Sequence, residues 1–351
     1  MTARDTTMPS TQAKADAQAH ALRSAAALVI FETDSERIND EHLRVAAAAR
    51  FLGVDEAAVR MLLASGLVPA VDTPEGPALA YHDAAALGLH SRLGSSVPEL
   101  GLSMMMRFAR QPEQALLVPL RWSFSVRCPK LPGAGAELRV PGAGAIIVPN
   151  AAPDRASRTG SRTDSLTGWS LPGNAGEPAS LDGSISTHGV GHRILNTAAN
   201  ALYDQILADV TSQRLRFQWV SVHGRRDPLA RWHEGRVDCV CLAAVLASEL
   251  ARLGMETRIE SGRILGVLDA QHTWVSVRDE DGAWKRFDPL LQAHCWRHWG
   301  SDQPYGALFR GAITNALIGW PGRDAAVVTC QDGRISDVEH QFLAWRVAKA
   351  E

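Results

Sequence analysis

Residues 236–254 read RVDCVCLAAVLASELARLG, and residues 270–289 read AQHTWVSVRDEDGAWKRFDP. The first run is a helix. Leu242, Val245, Leu246, Leu250 and Leu253 recur along one stripe, and Gly254 suits the left-handed position that ends a helix. The second run is a hairpin of two strands, Thr273–Arg278 and Ala283–Phe287. Between them Glu280-Asp281-Gly282 forms a three-residue loop with glycine at its left-handed position. That loop pairs Asp279 with Ala283. His272 and Trp274 then share one face, Asp288 stands opposite Trp274, and Asp288 becomes a same-face diagonal neighbour of His272, within reach of a side-chain hydrogen bond. A slip of one residue puts the two on opposite faces.

The residue types in these runs are a part list for acyl transfer: a cysteine nucleophile, a histidine base and an aspartate that orients the base. Cys239 opens its helix, where free backbone N–H groups and the positive dipole end favour a thiolate. Asp238 opposes the thiolate electrostatically, yet as an N-cap it sets where the helix begins. Cys241 competes for the role. It lies about 200° around the helix from Cys239, so only one of the two faces the histidine.

The run Cys239-Val-Cys-Leu-Ala243, then Leu253-Gly254-Met255, Arg258, Ser261-Gly262, His272-Thr-Trp274-Val-Ser-Val277, Trp284 and Asp288-Pro289 resembles the transglutaminase-like superfamily. The resemblance covers roughly Ile194–Leu290. It implies a papain-like α+β core, with the helix carrying the cysteine packed on an antiparallel sheet carrying the histidine and aspartate. It selects Cys239 over Cys241, and it implies Cys239 as nucleophile, His272 as base and Asp288 as orienter. Arg236 is a departure, at a position where the family often has glycine. The implied chemistry is attack on an amide, peptide or thioester carbonyl, a thioester acyl-enzyme, and release to water or to an amine. The Cys239 N–H would contribute to the oxyanion site, with Gln218 and Trp219 as side-chain candidates. Trp274 and Trp284 are candidates for groove walls or core. The expected substrate is a peptide, a protein or an amide-bearing small molecule, with no cofactor. His294, Cys295 and His298 invite a metal reading, but no second Cys/His pair stands at ligand spacing, so no metal is expected.

Upstream, residues 41–92 form a helical unit. Gly53 ends one helix, Asp55 caps the next, Thr73-Pro74-Glu75-Gly76 marks a turn, and Asp83 starts a third helix. Leu43, Ala47-Ala48, Leu52-Gly53-Val54, Val59-Arg60, Gly66-Leu67-Val68-Pro69, Gly76, Tyr81 and Asp83 resemble the winged-helix unit of MerR- and excisionase-type DNA-binding proteins. Its charge departs from that family. Residues 41–90 carry three arginines against six carboxylates and no lysine. Phosphate contact needs cations, so DNA binding stays open but disfavoured, and protein docking through residues 41–92 is the expected role. The alternative to an enzyme is therefore a regulator that docks or binds DNA through this unit, with the C-terminal core as a sensor.

The rest of the chain frames these parts. Its 351 residues suggest about two domains. A net charge of −2 excludes a global field for nucleic acid or anionic lipid. Five cysteines, an odd number at irregular spacings, fit a reducing compartment rather than a disulfide framework. The apolar stretch Ala25–Phe31 is too short for a bilayer, so a cytoplasmic protein with no membrane partner is expected. The expected order is a mostly disordered tail over 1–40, the helix-turn-helix-like domain over 41–92, a β-rich segment over 93–149, a flexible linker or loop over 150–190, and the catalytic domain over 191–351. Within these, Ile194–Val210 and Val338–Val347 read as helices. Leu120–Arg127, Leu138–Val140, Ala145–Val148, Phe217–Val222 and Glu256–Ser261 read as extended.

Overall fold

The hairpin over residues 270–287 lies within a five-stranded antiparallel sheet. The computed structural model describes residues 10–37, 40–128, 176–187, 189–264, 270–300 and 308–319, with further short strands at 137–139, 152–153, 168–170, 328–329, 335–336 and 339–343. The chain divides into two units. One is Met1–Ser103 with Gln213–Cys241, and the other is Met104–Ser212 with Leu242–Glu351. Helices and antiparallel sheets are mixed throughout, as the α+β reading expects.

In the second unit the sheet order is Arg310–Gly311, Trp284–Phe287, Ala270–Arg278, Glu256–Ile264 and Leu317–Gly319. The register is the expected one, with Val275 opposite Phe287 and Arg278 opposite Trp284. The turn that sets it has the Asp279 N–H donating to the Ala283 carbonyl at 3.0 Å, and Gly282 sits at φ +75°. Both faces of the central strand are covered, since Trp274, Val275, Ser276 and Val277 are all buried. The helix expected from Ile194 begins three residues later, as Thr197–Thr211. The carboxylate of Asp279 takes the N–H groups of Leu195 and Asn196, and Asn196 caps the first turn, so the chain stays extended until Asn196. A helix the sequence reading missed, Pro289–Trp299, starts where Asp288 accepts from the Leu291 N–H at 3.0 Å. Proline directly after an aspartate at a strand end is an N-terminal helix signature. The Tyr203 hydroxyl joins these two helices, at 2.7 Å from Gln292 Oε1 and 3.1 Å from the Asp288 carbonyl.

Two further four-stranded sheets correct the expected linker and closing helix. Leu120–Cys128 pairs along its whole length with Ala179–Thr187, inside the span read as a linker. That strand alternates Leu181, Gly183 and Ile185 with Ser180, Asp182, Ser184 and Ser186, a two-residue period that its serine-rich composition masked. Glu339–Leu343 is a strand on the other edge of Leu120–Cys128, not a helix, because the unpaired edge supplies its backbone hydrogen bonds. The β-rich segment opens helically, with Val97–Met105 and two 3₁₀ turns before the first strand. The strand expected at Ala145–Val148 lies outside the described residues.

The first unit begins with a correction. Thr11–Ala26, expected to be disordered, is a helix capped by the Ser10 hydroxyl. Its buried face is Ala15, Ala19, Leu22, Ala25 and Ala26, and part of it enters a core with Ala48, Leu52, Val59, Leu62 and Leu87. Alanine orders at little side-chain entropy cost and lets helices approach closely, so the scarcity of large side chains misled the reading. The helices Val45–Leu52, Glu56–Ala64 and Tyr81–His90 and the hairpin Val71–Thr73/Gly76–Ala80 follow the expected order. Gly53 is left-handed at φ +67°, and a Cβ there would meet the Ser95 carbonyl oxygen at 2.3 Å. Asp55 stands at its cap position without a capping bond, since Lys14 holds its carboxylate at 3.3 Å. Among the described residues, no helix is long and apolar enough to cross a membrane.

Candidate active site

His272 and Asp288 meet as the register requires. His272 Nε2 lies 2.7 Å from Asp288 Oδ2, and the two side chains are only 6% and 3% exposed. The other carboxylate oxygen, Oδ1, is the cap of the Pro289–Trp299 helix. One aspartate therefore does two jobs, and the helix start fixes its rotamer for the histidine. A proton on Nε2 donated to the carboxylate leaves the lone pair on Nδ1, the tautomer a general base needs.

A stack supports the imidazole. The Trp274 ring lies on His272 with centroids 6.0 Å apart and planes at 26°, and the Arg286 guanidinium sits over Trp274 at 4.6 Å. Glu260 Oε2 accepts from the Trp274 indole at 3.0 Å and from the Ser276 hydroxyl at 2.9 Å. Burial pushes the Glu260 carboxyl up despite these donors, and burial brings Arg286 down to about 10 against the pull of Glu260 and Asp288. Trp274 is 2% exposed, so it is a core residue and not a groove wall. Trp284 is partly exposed and carries the Arg258 guanidinium over its ring at 3.8 Å.

Cys239 is the first residue of the Cys239–Arg252 helix, which begins in the first unit and continues from Leu242 in the second. Asp238 caps it, with Oδ1 accepting from the Val240 and Cys241 N–H groups at 3.0 and 2.8 Å. Its Oδ2 accepts from Arg225 Nε at 2.6 Å. That guanidinium offsets the negative charge beside the thiol. The two cysteines part company in burial. Cys239 is partly exposed, whereas Cys241 is fully buried, and burial with the nearby Asp238 carboxylate pushes its thiol far up.

The segment leading to Cys239 is held by a strap from the chain's beginning. Gln218 places its carboxamide on the backbone of Ile30, accepting from the N–H at 3.2 Å and donating to the carbonyl at 2.6 Å. Glu32 accepts from the Ser221 N–H at 2.7 Å, and Arg216 donates to the Leu28 carbonyl at 3.0 Å. Arg236, 1% exposed, ion-pairs with Glu36 at 3.1 Å and Glu234 at 2.8 Å, and Arg231 reaches the same Glu36 at 2.9 Å. Arg236 is thus the centre of a buried ion network, and Gln218 is engaged in holding the strap. Trp219 packs edge-on against Phe217 at 5.4 Å.

Cys239, Gln218 and Trp219 belong to the first unit, and His272, Asp288, Trp274 and Trp284 to the second. Sequence reasoning missed Arg225, Glu36, Glu260 and Arg286. Glu260 and Arg286 are charges inside segments that read as strands, the one signal they gave, whereas nothing local marked Arg225 or Glu36. Cys295 Sγ packs at 3.7 Å from Met106 Sδ, and His298 has its pKa lowered by burial and by Arg297. The metal-competent cluster among the described residues lies elsewhere, at Glu32, Asp40 and His82.

No family model matches the chain, and no curated protein matches it. Among solved structures the chain is similar to that of a candidate cysteine protease from Cytophaga hutchinsonii. The match has 10% identity, covers 66% of this chain and 93% of that one, and has a TM-score of 0.35. A similarity of that size leaves the activity to be argued from the residues themselves.

Proposed function

We propose that the protein is a thiol enzyme that transfers or hydrolyses acyl groups at an amide, peptide or thioester carbonyl. The observation that carries this reading is the buried His272–Asp288 pair at 2.7 Å, on a hairpin whose register is set by its turn. A histidine sequestered with a carboxylate and fixed in one tautomer is costly to build for stability alone. In this reading Cys239, at the start of its helix, is the nucleophile, and Arg225 pairs with the Asp238 carboxylate beside it. The thiolate sulfur attacks the carbonyl carbon, and the Cys239 N–H contributes to holding the oxyanion. His272 Nδ1, having taken the thiol proton, gives it to the departing amine or thiol as the carbon–nitrogen or carbon–sulfur bond breaks. Water or an amine, losing its proton to Nδ1, then attacks the thioester, and the carbon–sulfur bond to Cys239 breaks to release the acyl product. The substrate class is a peptide, a protein or an amide-bearing small molecule. The unit over residues 41–92 serves as a docking module.

The test is alkylation and cross-linking. Iodoacetamide at pH 7 should modify wild type and Cys241→Ser at similar rates and spare Cys239→Ala at that position. A reagent that bridges a thiol and an imidazole, such as 1,3-dibromoacetone, should join Cys239 to His272 in wild type. Equal loss of labelling in both cysteine variants, or a bridge formed from another histidine, would overturn the assignment.

A further inference from the structure

A cluster remote in sequence from the cysteine carries ligand chemistry of its own. Glu32, Asp40 and His82 each present one ligand atom, and these three atoms lie within 4.8 Å of one another. All three belong to the first unit. Glu32 is 2% exposed. Its Oε1 accepts from the Ser221 N–H at 2.7 Å, whereas Oε2 is buried with no hydrogen-bond partner among the described residues. Asp40 approaches His82 twice, with Oδ1 2.8 Å from the ring Nδ1 and Oδ2 accepting from the His82 N–H at 2.9 Å. Asp83 closes the group. Its Oδ1 accepts from the Glu32 N–H at 3.0 Å, and its Oδ2 is buried without a hydrogen-bond partner among the described residues, 3.9 Å from Arg37.

Three carboxylates and an imidazole thus gather, and the Arg37 guanidinium that pairs with Asp83 is itself shared with Asp34. A buried carboxylate oxygen without a donor is rare unless something else satisfies it. Hydrogen bonds within the protein already hold the second oxygen of each orphaned carboxylate in place, so the unpaired lone pairs are pre-oriented. The donor set discriminates among occupants. Calcium and magnesium prefer oxygen ligands throughout, and a lone imidazole among them is foreign. One imidazole nitrogen with two carboxylate oxygens suits a divalent transition metal, and zinc accepts three protein ligands with water in the fourth position.

We propose that Glu32, Asp40 and His82 form a binding site for a divalent transition-metal ion of the zinc class. His82 would coordinate as the neutral imidazole, through a ring nitrogen that carries no proton in the complex. Glu32 would bridge the ion and the Ser221 N–H. The metal therefore ties the strap over residues 28–37 to the segment leading to Cys239, as a structural clip within the first unit. The site stands independently of the thiol chemistry, since none of its residues enters that reaction.

The experiment uses the full chain, freed of metal with chelator and titrated with zinc by calorimetry under reducing conditions. Thiols also bind zinc, so Cys239→Ala is the control. One equivalent should bind to wild type and to Cys239→Ala, with affinity reduced about tenfold or more in Glu32→Gln and His82→Asn. Cobalt should give visible d–d bands without the intense near-ultraviolet charge transfer of thiolate ligation. Zinc should raise the thermal midpoint of wild type, and chelator should reverse the rise, a readout that does not depend on the variants folding. Unchanged affinity in His82→Asn, loss of binding in Cys239→Ala, a thiolate signature with cobalt, or no binding by wild type at millimolar zinc would each overturn the proposal.

Discussion

At the scale of single residues, Asp288 links stability to the candidate chemistry. It caps the Pro289–Trp299 helix through one oxygen and holds His272 through the other. Asparagine keeps one acceptor oxygen, enough for the cap or for the ring but not for both, and its amide nitrogen only donates, whereas alanine serves neither. Asp288→Ala should lose about 1–3 kcal/mol of stability, from the cap and from a buried imidazole left without its partner. Asp288→Asn should keep the cap and stay within about 1 kcal/mol of wild type, yet lose most of the thiol reactivity, because an amide N–H facing Nε2 moves the histidine proton to Nδ1. Urea denaturation with parallel alkylation rates checks both. Asp238 is a second dual-use carboxylate. Replacing Arg225 by alanine leaves a buried negative charge beside Cys239, so alkylation at pH 7 should slow in Arg225→Ala. If the charge is the cause, Asp238→Asn should restore the rate in the Arg225→Ala background.

At the scale of elements, charges rather than apolar stripes lock the pieces in place. Asp279 ends the His272 strand and takes N–H groups from Leu195 and Asn196, ahead of the Thr197–Thr211 helix. Burial pushes its carboxyl up, but Lys285 at 2.8 Å and the backbone donors outweigh that and hold it below the ordinary range. A carboxyl whose folded pKa is depressed stabilises fully above its unfolded pKa of about 4, and that stabilisation is lost as the pH falls through the lower folded value. Acid should therefore weaken wild type more than Asp279→Asn below about pH 4, as read from urea midpoints across pH. Glu36 plays a like part in the strap. Glu36→Ala strands Arg236 without its deepest partner and should cost about 3–5 kcal/mol. Much of this level was legible beforehand. The hairpin register followed from the Glu280-Asp281-Gly282 loop, and the Cys239 helix from its leucine stripe and from Gly254. The Ala179–Thr187 and Glu339–Leu343 strands were not legible. Their backbone hydrogen bonds come from Leu120–Cys128, far away in sequence, and short polar segments adopt whatever pairing an open edge offers.

At the scale of the whole molecule, the beginning of the chain conditions the approach to Cys239. Deleting residues 1–37 leaves Cys239, His272 and Asp288 in place but removes the partners of Gln218, Ser221 and Arg236. The truncated protein should lose most of its Cys239 alkylation rate, measured against free thiol. Equal rates would show the strap to be dispensable. The head over residues 41–92 points the same way as its composition. Arg44 pairs with Glu75 at 3.3 Å and Arg60 pairs with Glu56, so two of the three arginines in residues 41–90 are already matched. The full chain should show no salt-sensitive binding to duplex DNA in fluorescence anisotropy. Tight binding that falls with salt would favour the regulator reading.

The sequence by itself determined whatever rests on near neighbours. Turn glycines, capping aspartates and the two-residue and 3.6-residue periods act over a few positions, so the Cys239 helix, the hairpin and the His272–Asp288 pairing could all be derived from the chain. The tertiary structure alone decided where the isolated charges went. Glu36 meets Arg236 across 200 residues, Gln218 meets Ile30 across 188, and Glu32 gathers with Asp40 and His82. No local pattern encodes such meetings, because a buried charge takes its partner from the folded surroundings that close over it. They explain why Arg236 is buried and why residues 10–37, read as part of a disordered tail, are ordered.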